Sequence, residues 1–307
     1  MAVIVFGSAN VDLVMPVPTF PMPGETVLTQ DYHAVPGGKG ANQALAVKRA
    51  GVPANFVGAV GKDHYADCAL SLLREASVGL EATIVSDRPT GCAVVMVDAE
   101  GENSIVVASG ANLDVRAHQV SDALLKSNRV LVLQQEVSFE ENESLGCRAQ
   151  QAGLQIVLNL APATQIPTGL LANTNFLIVN EVEAAFLAGE QTQVSMTDLA
   201  DHLADTYDCG TLITLGNEGC VVASGDERAF GVDAPGVEVV DTTGAGDTFT
   251  GYFAALLAQE HLSLRQCVAG ATQAASLACT RMGAQSGIPC AEDVLRARDK
   301  RQNQIYL

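Results

Sequence analysis

Short β-branched runs alternate with longer stretches of helical period along most of the chain. Val3–Phe6 is a compact apolar run closed by Gly7 and predicts a buried first strand. Beyond about residue 115 the alternation becomes regular. Strands are predicted over Val130–Leu133, Gln155–Asn159, Phe176–Val179 and Thr211–Leu215, with helices over Phe139–Gln151, Glu181–Leu187 and Met196–Thr206. Strands alternating with helices imply crossover connections and a mainly parallel sheet. The hairpin strands Cys220–Ala223 and Arg228–Gly231 and a strand over Val237–Val240 precede two helices, Ala245–Gln259 and Leu264–Thr280. A helix over Gly40–Ala50 ends at Gly51, and a strand follows over Asn55–Val60.

Three β-rich segments stand apart from this alternation. Glu25–Val35 is bracketed by Pro21, Pro23 and Gly24 on one side and by Pro36-Gly37-Gly38 on the other. Gly91–Val97 and Ser104–Ala108 are joined by Asp98-Ala-Glu-Gly101 as a hairpin. With no repeat and no low-complexity linker, the expected fold is α/β: a mainly parallel central sheet flanked by helices. It forms a single domain over 1–307, with a small β-rich lid assembled from excursions at about 13–36 and 91–109.

Composition narrows the function classes. Lys+Arg 17 against Asp+Glu 35 gives a formal net charge of -18 without a basic run, so no nucleic-acid partner and no membrane is expected. A site that handles phosphate must then depend on helix N-termini, backbone N–H groups and bound cations. The 8 cysteines are scattered without a Cys-x-x-Cys pair or nearby histidines, which argues against zinc and redox motifs and suits a reducing compartment. The N-terminal apolar run stops at Ser8, Asn10 and Asp12, too early for a signal peptide, and a cytoplasmic location is expected.

The richest chemistry lies in Val240-Asp-Thr-Thr-Gly-Ala-Gly-Asp247-Thr-Phe-Thr-Gly251. A glycine-rich turn entering an apolar helix leaves first-turn N–H groups unpaired, where the helix dipole also favours an anion. Gly244, Ala245 and Gly246 then form a candidate anion hole, with Asp247 beside them as a candidate general base. Base and anion hole together are what phosphoryl transfer requires. A plain capped helix behind a tight turn accounts for the same residues equally well.

Two nucleotide motifs fail by spacing. Gly-x-Gly-x-x-Gly meets Phe249 at its last position, and a Walker A loop around Gly38-Lys39 meets His33 early and Gly40 late. A second glycine cluster, Pro36-Gly-Gly-Lys39-Gly-Ala-Asn42-Gln-Ala44, opens another helix and adds a cation and an amide. Close backbone approach with Lys39 and Asn42 suits a polyhydroxy ligand. Taken singly, a solvated lysine and a surface asparagine are the simpler reading. Asn10 and Asp12 follow the first strand, at the edge where open α/β sheets bind ligands.

Gly37-Gly-Lys-Gly-Ala-Asn-Gln-Ala44 and Asp241-Thr-Thr-Gly-Ala-Gly-Asp247 together resemble the two signatures of the PfkB family of carbohydrate kinases. Further strings, among them Gly7-Ser-Ala-Asn10-Val-Asp12, Gln134-Gln-Glu136, Asn180-Glu-Val-Glu183 and Thr280-Arg-Met-Gly283-Ala-Gln285, point within it to the ribose-phosphorylating branch. The resemblance runs in order over nearly the whole chain.

It implies that Asn10, Asp12, Gly38, Lys39, Gly40, Ala41, Asn42 and Glu136 hold a sugar whose terminal hydroxymethyl is deprotonated by Asp247. It also implies that Asn180 and Glu183 order Mg²⁺ and the phosphates of ATP. Thr214, Leu215, Gly216, Asn217, Glu218, Gly219, Gly246 and Thr272 would line the nucleotide. A K⁺ site would be formed by Asp241, Thr243, Ala278, Arg281, Gly283 and Gly287, the last standing where members often carry serine. Leu160 departs from the commoner proline in Asn159-Leu-Ala-Pro162.

The implied reaction moves the γ-phosphate of ATP to the 5-hydroxymethyl of D-ribose. Glu136 and Asp12 argue against an anionic sugar acid, and aromatics at 5% argue against stacking a nucleoside. Another sugar or nucleoside acceptor, or a non-catalytic sugar sensor on the same fold, are the competing readings. The apolar faces of Ala93–Val97 and Ile105–Ala108 lead us to expect a homodimer through the lid.

Overall fold

The computed structural model describes residues 2–163, 168–189, 194–225 and 227–304. Its strands are β1 (Val3–Phe6), β2 (Asn10–Pro16), β3 (His33–Gly37), β4 (Ala54–Val57), β5 (Ala59–Gly61), β6 (Ile84–Ser86) and β7 (Gly91–Val97). They continue with β8 (Asn103–Ala108), β9 (Val130–Leu133), β10 (Gln155–Asn159), β11 (Phe176–Asn180), β12 (Gly210–Thr214), β13 (Cys220–Ser224) and β14 (Glu227–Val232). The helices are α1 (Lys39–Arg49), α2 (Tyr65–Ala69), α3 (Ser71–Glu75), α4 (Asp122–Ser127), α5 (Phe139–Gln151) and α6 (Thr168–Leu171). After them come α7 (Glu181–Ala188), α8 (Met196–Tyr207), α9 (Ala245–Leu257), α10 (Leu264–Ala278) and α11 (Ala291–Gln304).

An 8-stranded sheet in the order β14-β13-β12-β11-β10-β9-β1-β4 forms the centre. Every neighbouring pair from β12 to β4 is parallel, and only the β12–β13 and β13–β14 pairs are antiparallel. The central parallel strands β1 (VIVF) and β9 (VLVL) are apolar throughout because both of their faces are buried. Val3 and Val5 of β1 face one apolar core together with Val130, Val132, Val157 and Leu212. Ile4 and Phe6 face the other, with Leu131, Leu133, Ile156, Leu158 and Ile213. Helix α1 (Ala44, Leu45) and helix α9 (Phe249, Phe253) complete the first core, and α5 (Leu145, Ala149) and α8 (Leu199, Leu203) complete the second.

A separate 4-stranded sheet, β3-β2-β7-β8, is built from the excursions. β2 pairs antiparallel with β3 and parallel with β7, while β8 pairs antiparallel with β7 and lies at the edge. Ile105 and Val106 on β8 are 51% and 65% exposed, a β-branched edge open to a partner.

Three expectations need correction. Of Glu25–Val35 only His33–Val35 is strand, as the start of β3, which runs on through the expected bracket Pro36-Gly37; the stretch before it makes no ladder. The small sheet begins at Asn10, so β1 passes to it within three residues, at Gly7, Ser8 and Ala9. Val237–Val240 is not a strand: Val240 N–H bonds to Cys279 O at 2.8 Å, anchoring the segment to the end of α10 instead of to the sheet. The departure at Leu160 has a structural counterpart, since its N–H donates to Ile178 O at 3.0 Å, a bond that proline cannot make.

Candidate active site

Because β4, β1, β9, β10, β11 and β12 are parallel, their carboxyl ends share one edge. The chain leaves β1 toward β4 on one side and later returns to β9 on the other. This reversal of strand order opens a crevice at the ends of β1 and β9. Ser8 follows β1 and Glu136 follows β9, and Ser8 Oγ donates to Glu136 Oε2 at 2.5 Å across that crevice. The N-terminus of α1 closes the same corner: Lys39 N–H donates to Glu136 Oε2 at 3.2 Å, and Gly40 N–H donates to Ser8 Oγ at 3.3 Å.

Gly38 has φ 91, and a Cβ there would come within 2.7 Å of Asn10 N, so glycine alone brings α1 this close to β2. Asn10, on β2, is 3% exposed, and its Oδ1 accepts from Asn112 Nδ2 at 2.7 Å. Asn112 Oδ1 in turn accepts from Ala9 N–H at 3.0 Å. That pairing turns the Asn10 amide nitrogen away from Asn112 and leaves it to donate elsewhere.

Asp247 stands in the first turn of α9 and is 6% exposed. Its Oδ2 accepts from Asn42 Nδ2 at 2.8 Å and its Oδ1 from Gln43 Nε2 at 2.9 Å. The turn before it carries the residues that the sequence offered as an anion hole, and their N–H groups are not all free. Ala245 N–H is engaged with Thr242 O at 3.2 Å, whereas the N–H groups of Gly244, Gly246 and Asp247 donate to nothing among the described residues. Gly244 has φ 77, and a Cβ there would meet Ala284 Cα at 2.8 Å, so the turn requires glycine. Gly246 differs: a Cβ there would meet nothing within 4 Å. Packing does not ask for glycine at that position, and the space beside it is open.

The charges in the crevice form one coupled set. Burial raises the Asp12 carboxyl, Glu136 and Asp247 raise it further, and Lys39 opposes them; the outcome is a pKa pushed up to about 7. Burial works against the Lys39 ammonium, but Asp247, Glu136, Glu183 and Asp12 together outweigh it, so its pKa is raised. Burial also raises the Glu183 carboxyl, in spite of the hydrogen bond from Asn180 N–H and the charge of Lys39.

Asn180 ends β11 and caps α7 in a reciprocal box. Its Oδ1 accepts from Glu183 N–H at 2.8 Å, and Glu183 Oε2 accepts from Asn180 N–H at 2.8 Å. Glu183 is only 7% exposed, so it is not a solvent-facing helix carboxylate. Thr214 pairs with Asn180 across the β11–β12 ladder, and the turn Gly216–Glu218 follows directly, between Leu215 and Gly219. Gly219 is required by its neighbours, since a Cβ would meet Ala234 N at 2.6 Å, while Gly216 opens on free space. Thr272 is buried on α10 with its hydroxyl unpartnered.

The expected cation ligands gather on the other side of the α9 turn. Asp241 Oδ1 accepts from Thr243 N–H at 2.9 Å and Oδ2 from Gly283 N–H at 2.7 Å. At Gly287 a Cβ would meet Gly283 O at 2.8 Å, Ala278 O at 3.0 Å and Arg281 O at 3.4 Å. Three carbonyl oxygens thus converge beside a residue without a side chain, which is the donor set a monovalent cation takes.

Ser8, Gln43, Asn112, Gln134 and Asn159 also join the network, although no role was expected of them from sequence. For Gln43 a signal did exist: it and Asn42 are the two polar residues in the otherwise apolar run Ala41–Val47.

Residues 2–291 match the pfkB family carbohydrate kinase. The chain belongs to the PfkB family. Within that family it is 37% identical over 293 residues to ribokinase of Bacillus subtilis, covering 94% of this chain and 97% of the relative. A bifunctional ribokinase/ribose-5-phosphate isomerase A of Fructilactobacillus sanfranciscensis is 35% identical over 309 residues, and there the match spans 98% of this chain but 56% of the relative. Among solved PfkB structures, Arabidopsis thaliana ribokinase complexed with ribose and ATP superposes with a TM-score of 0.88 at 32% identity, covering 96% of this chain and 98% of the other.

Proposed function

We propose that the protein transfers the γ-phosphate of ATP to the 5-hydroxyl of D-ribose, giving ribose 5-phosphate and ADP. The observation that carries this reading is Asp247, a buried carboxylate fixed by two side-chain amides and flanked by three unengaged N–H groups. Such a carboxylate takes the hydroxyl proton as the oxygen attacks phosphorus in line, while Gly244, Gly246 and Asp247 N–H groups receive the phosphoryl oxygens.

Asn10, Asp12, Lys39, Asn42 and Glu136 offer the donors and acceptors that a neutral polyol needs, and Asp12, Lys39 and Glu136 act on one another electrostatically. The two carboxylates Asp12 and Glu136 disfavour an anionic acceptor. On the nucleotide side, Asn180 and Glu183 would hold Mg²⁺ through water, and Thr214, Gly216, Gly219 and Thr272 would line the adenosine. The carbonyls of Ala278, Arg281 and Gly283, with Asp241 and Thr243, would hold K⁺, which supplies positive potential behind the anion hole.

The named relatives act as support for the ribose assignment, and the crevice chemistry is consistent with it. The decisive experiment is ATP turnover against a panel of free sugars and nucleosides, with and without K⁺. Preferential turnover of ribose supports the full reading; turnover of another acceptor alone leaves a PfkB kinase and refutes the ribose assignment; no turnover with any acceptor favours a sensor.

The reading extends to a cytoplasmic homodimer paired through the small sheet. The exposed β-branched edge of β8 favours such pairing, and light scattering of Val106→Glu against the parent tests it, the variant being expected as a monomer. Among the described residues no helix is long and apolar enough to cross a membrane.

A further inference from the structure

Gln43 lies on α1 without exposed surface, and every polar atom of its side chain is engaged inside the protein. Nε2 donates to Asp247 Oδ1 at 2.9 Å and to Asn159 Oδ1 at 3.1 Å, and Oε1 accepts from Gln134 Nε2 at 2.7 Å. The reversed amide would set Oε1 against the carboxylate of Asp247, so charge fixes the orientation. Gln134 follows β9 and Asn159 ends β10. Gln43 therefore ties two strands of the central sheet to the first turn of α9.

Each oxygen of Asp247 accepts one amide bond, but the two donors are held differently. Oδ1 is committed to a side chain without exposed surface. Oδ2 accepts from Asn42, whose own Oδ1 is buried and has no partner. We infer that Gln43 is a positioning residue for phosphoryl transfer: it anchors Oδ1 of Asp247 and leaves Oδ2 as the oxygen that takes the proton. The inference rests on the reading of Asp247 as the base.

A donor on an ionised carboxylate favours the ionised form, and a fixed carboxylate holds the near-attack geometry. The other charged groups that act on Asp247 are Lys39 on α1, Asp12 on β2 and Glu183 on α7, while Glu136 after β9 acts on Lys39 and Asp12. None of them hydrogen-bonds Gln43 among the described residues, so removing its amide takes one defined donor from Asp247.

Gln43→Met fills similar volume and offers no donor. Its kcat should fall by about 10- to 100-fold, with the KM for ribose little changed. The acid limb of its kcat profile should move to higher pH, since the base loses a bond that favours its charged form. Gln43→Glu can donate only when protonated, so its kcat should fall as pH rises across a range where the parent is flat. This variant carries the test if the methionine variant does not fold.

A methionine variant with parental kcat and an unmoved acid limb overturns the inference, as does a loss of kcat without movement of the limb. Asp247→Asn measured in parallel separates the two readings. If it is inactive while Gln43→Met is parental, only the positioning role fails. If it keeps normal kcat, the base assignment fails and takes this inference with it.

Discussion

Asn42 Nδ2 donates to Asp247 Oδ2 at 2.8 Å, joining the first turns of α1 and α9 across 205 positions of sequence. Two helix N-termini, each opened by glycine, thus meet at one carboxylate. Asp247→Asn keeps the shape of the side chain and removes its basicity. Its kcat should fall by about 10²- to 10⁴-fold, while calorimetry should still detect sugar binding. A variant with near-parental kcat would remove the base from the mechanism.

Gly246→Ala separates fold from function at a single atom. The added methyl meets nothing within 4 Å, and alanine is the better helix former by about 0.8–1 kcal/mol in a helix interior, somewhat less in a first turn. The variant should melt no lower than the parent and show a higher KM for ATP or a lower kcat. Parental kinetics would mean that this space is not where phosphate sits.

At Asp12 the sign of the pH dependence follows from its raised pKa. With the folded value pushed up to about 7, above the ordinary carboxylate range, the folded state binds the proton more tightly than the unfolded chain does. The associated stability is complete at pH values below the unfolded pKa and is lost as pH rises through about 7. Ligand-free protein should therefore melt lower at pH 8 than at pH 6. Asp12→Asn should flatten that slope and raise the pH 8 melting temperature by roughly 2–4 °C for each ~1 kcal/mol recovered, at the cost of sugar affinity. An unchanged slope in the variant would remove Asp12 as its source.

Gly287→Ala tests the cation site. Its methyl would lie 2.8 Å from Gly283 O and 3.0 Å from Ala278 O, closer than packed groups tolerate, so the carbonyls must splay. The K⁺ concentration giving half-maximal activation should rise, with the KM for ribose largely preserved. If K⁺ titrations of variant and parent superimpose, the cation is held elsewhere.

Much of the molecule is legible in the chain itself, for local reasons. Val3–Phe6, Val130–Leu133 and Gln155–Asn159 read as strands because short apolar runs between turn residues have few alternatives, and Phe139–Gln151 reads as a helix from its period. The two glycine clusters could also be placed at helix starts. Val237–Val240 misled because its β-branched residues meet the end of α10 instead of a sheet, a tertiary choice that no local propensity encodes.

What the sequence alone determined is the alternation of strands and helices and the residue types at Lys39–Gln43 and Gly244–Asp247, since backbone preference and side-chain chemistry are properties of short segments. Only the tertiary structure decided that Gln43 and Asn42 divide the two oxygens of Asp247 and that Ala245 N–H is spent internally. It also decided that three carbonyls converge at Gly287. These are distances between residues far apart in the chain, and they exist only once the parallel strands bring their carboxyl ends to one edge.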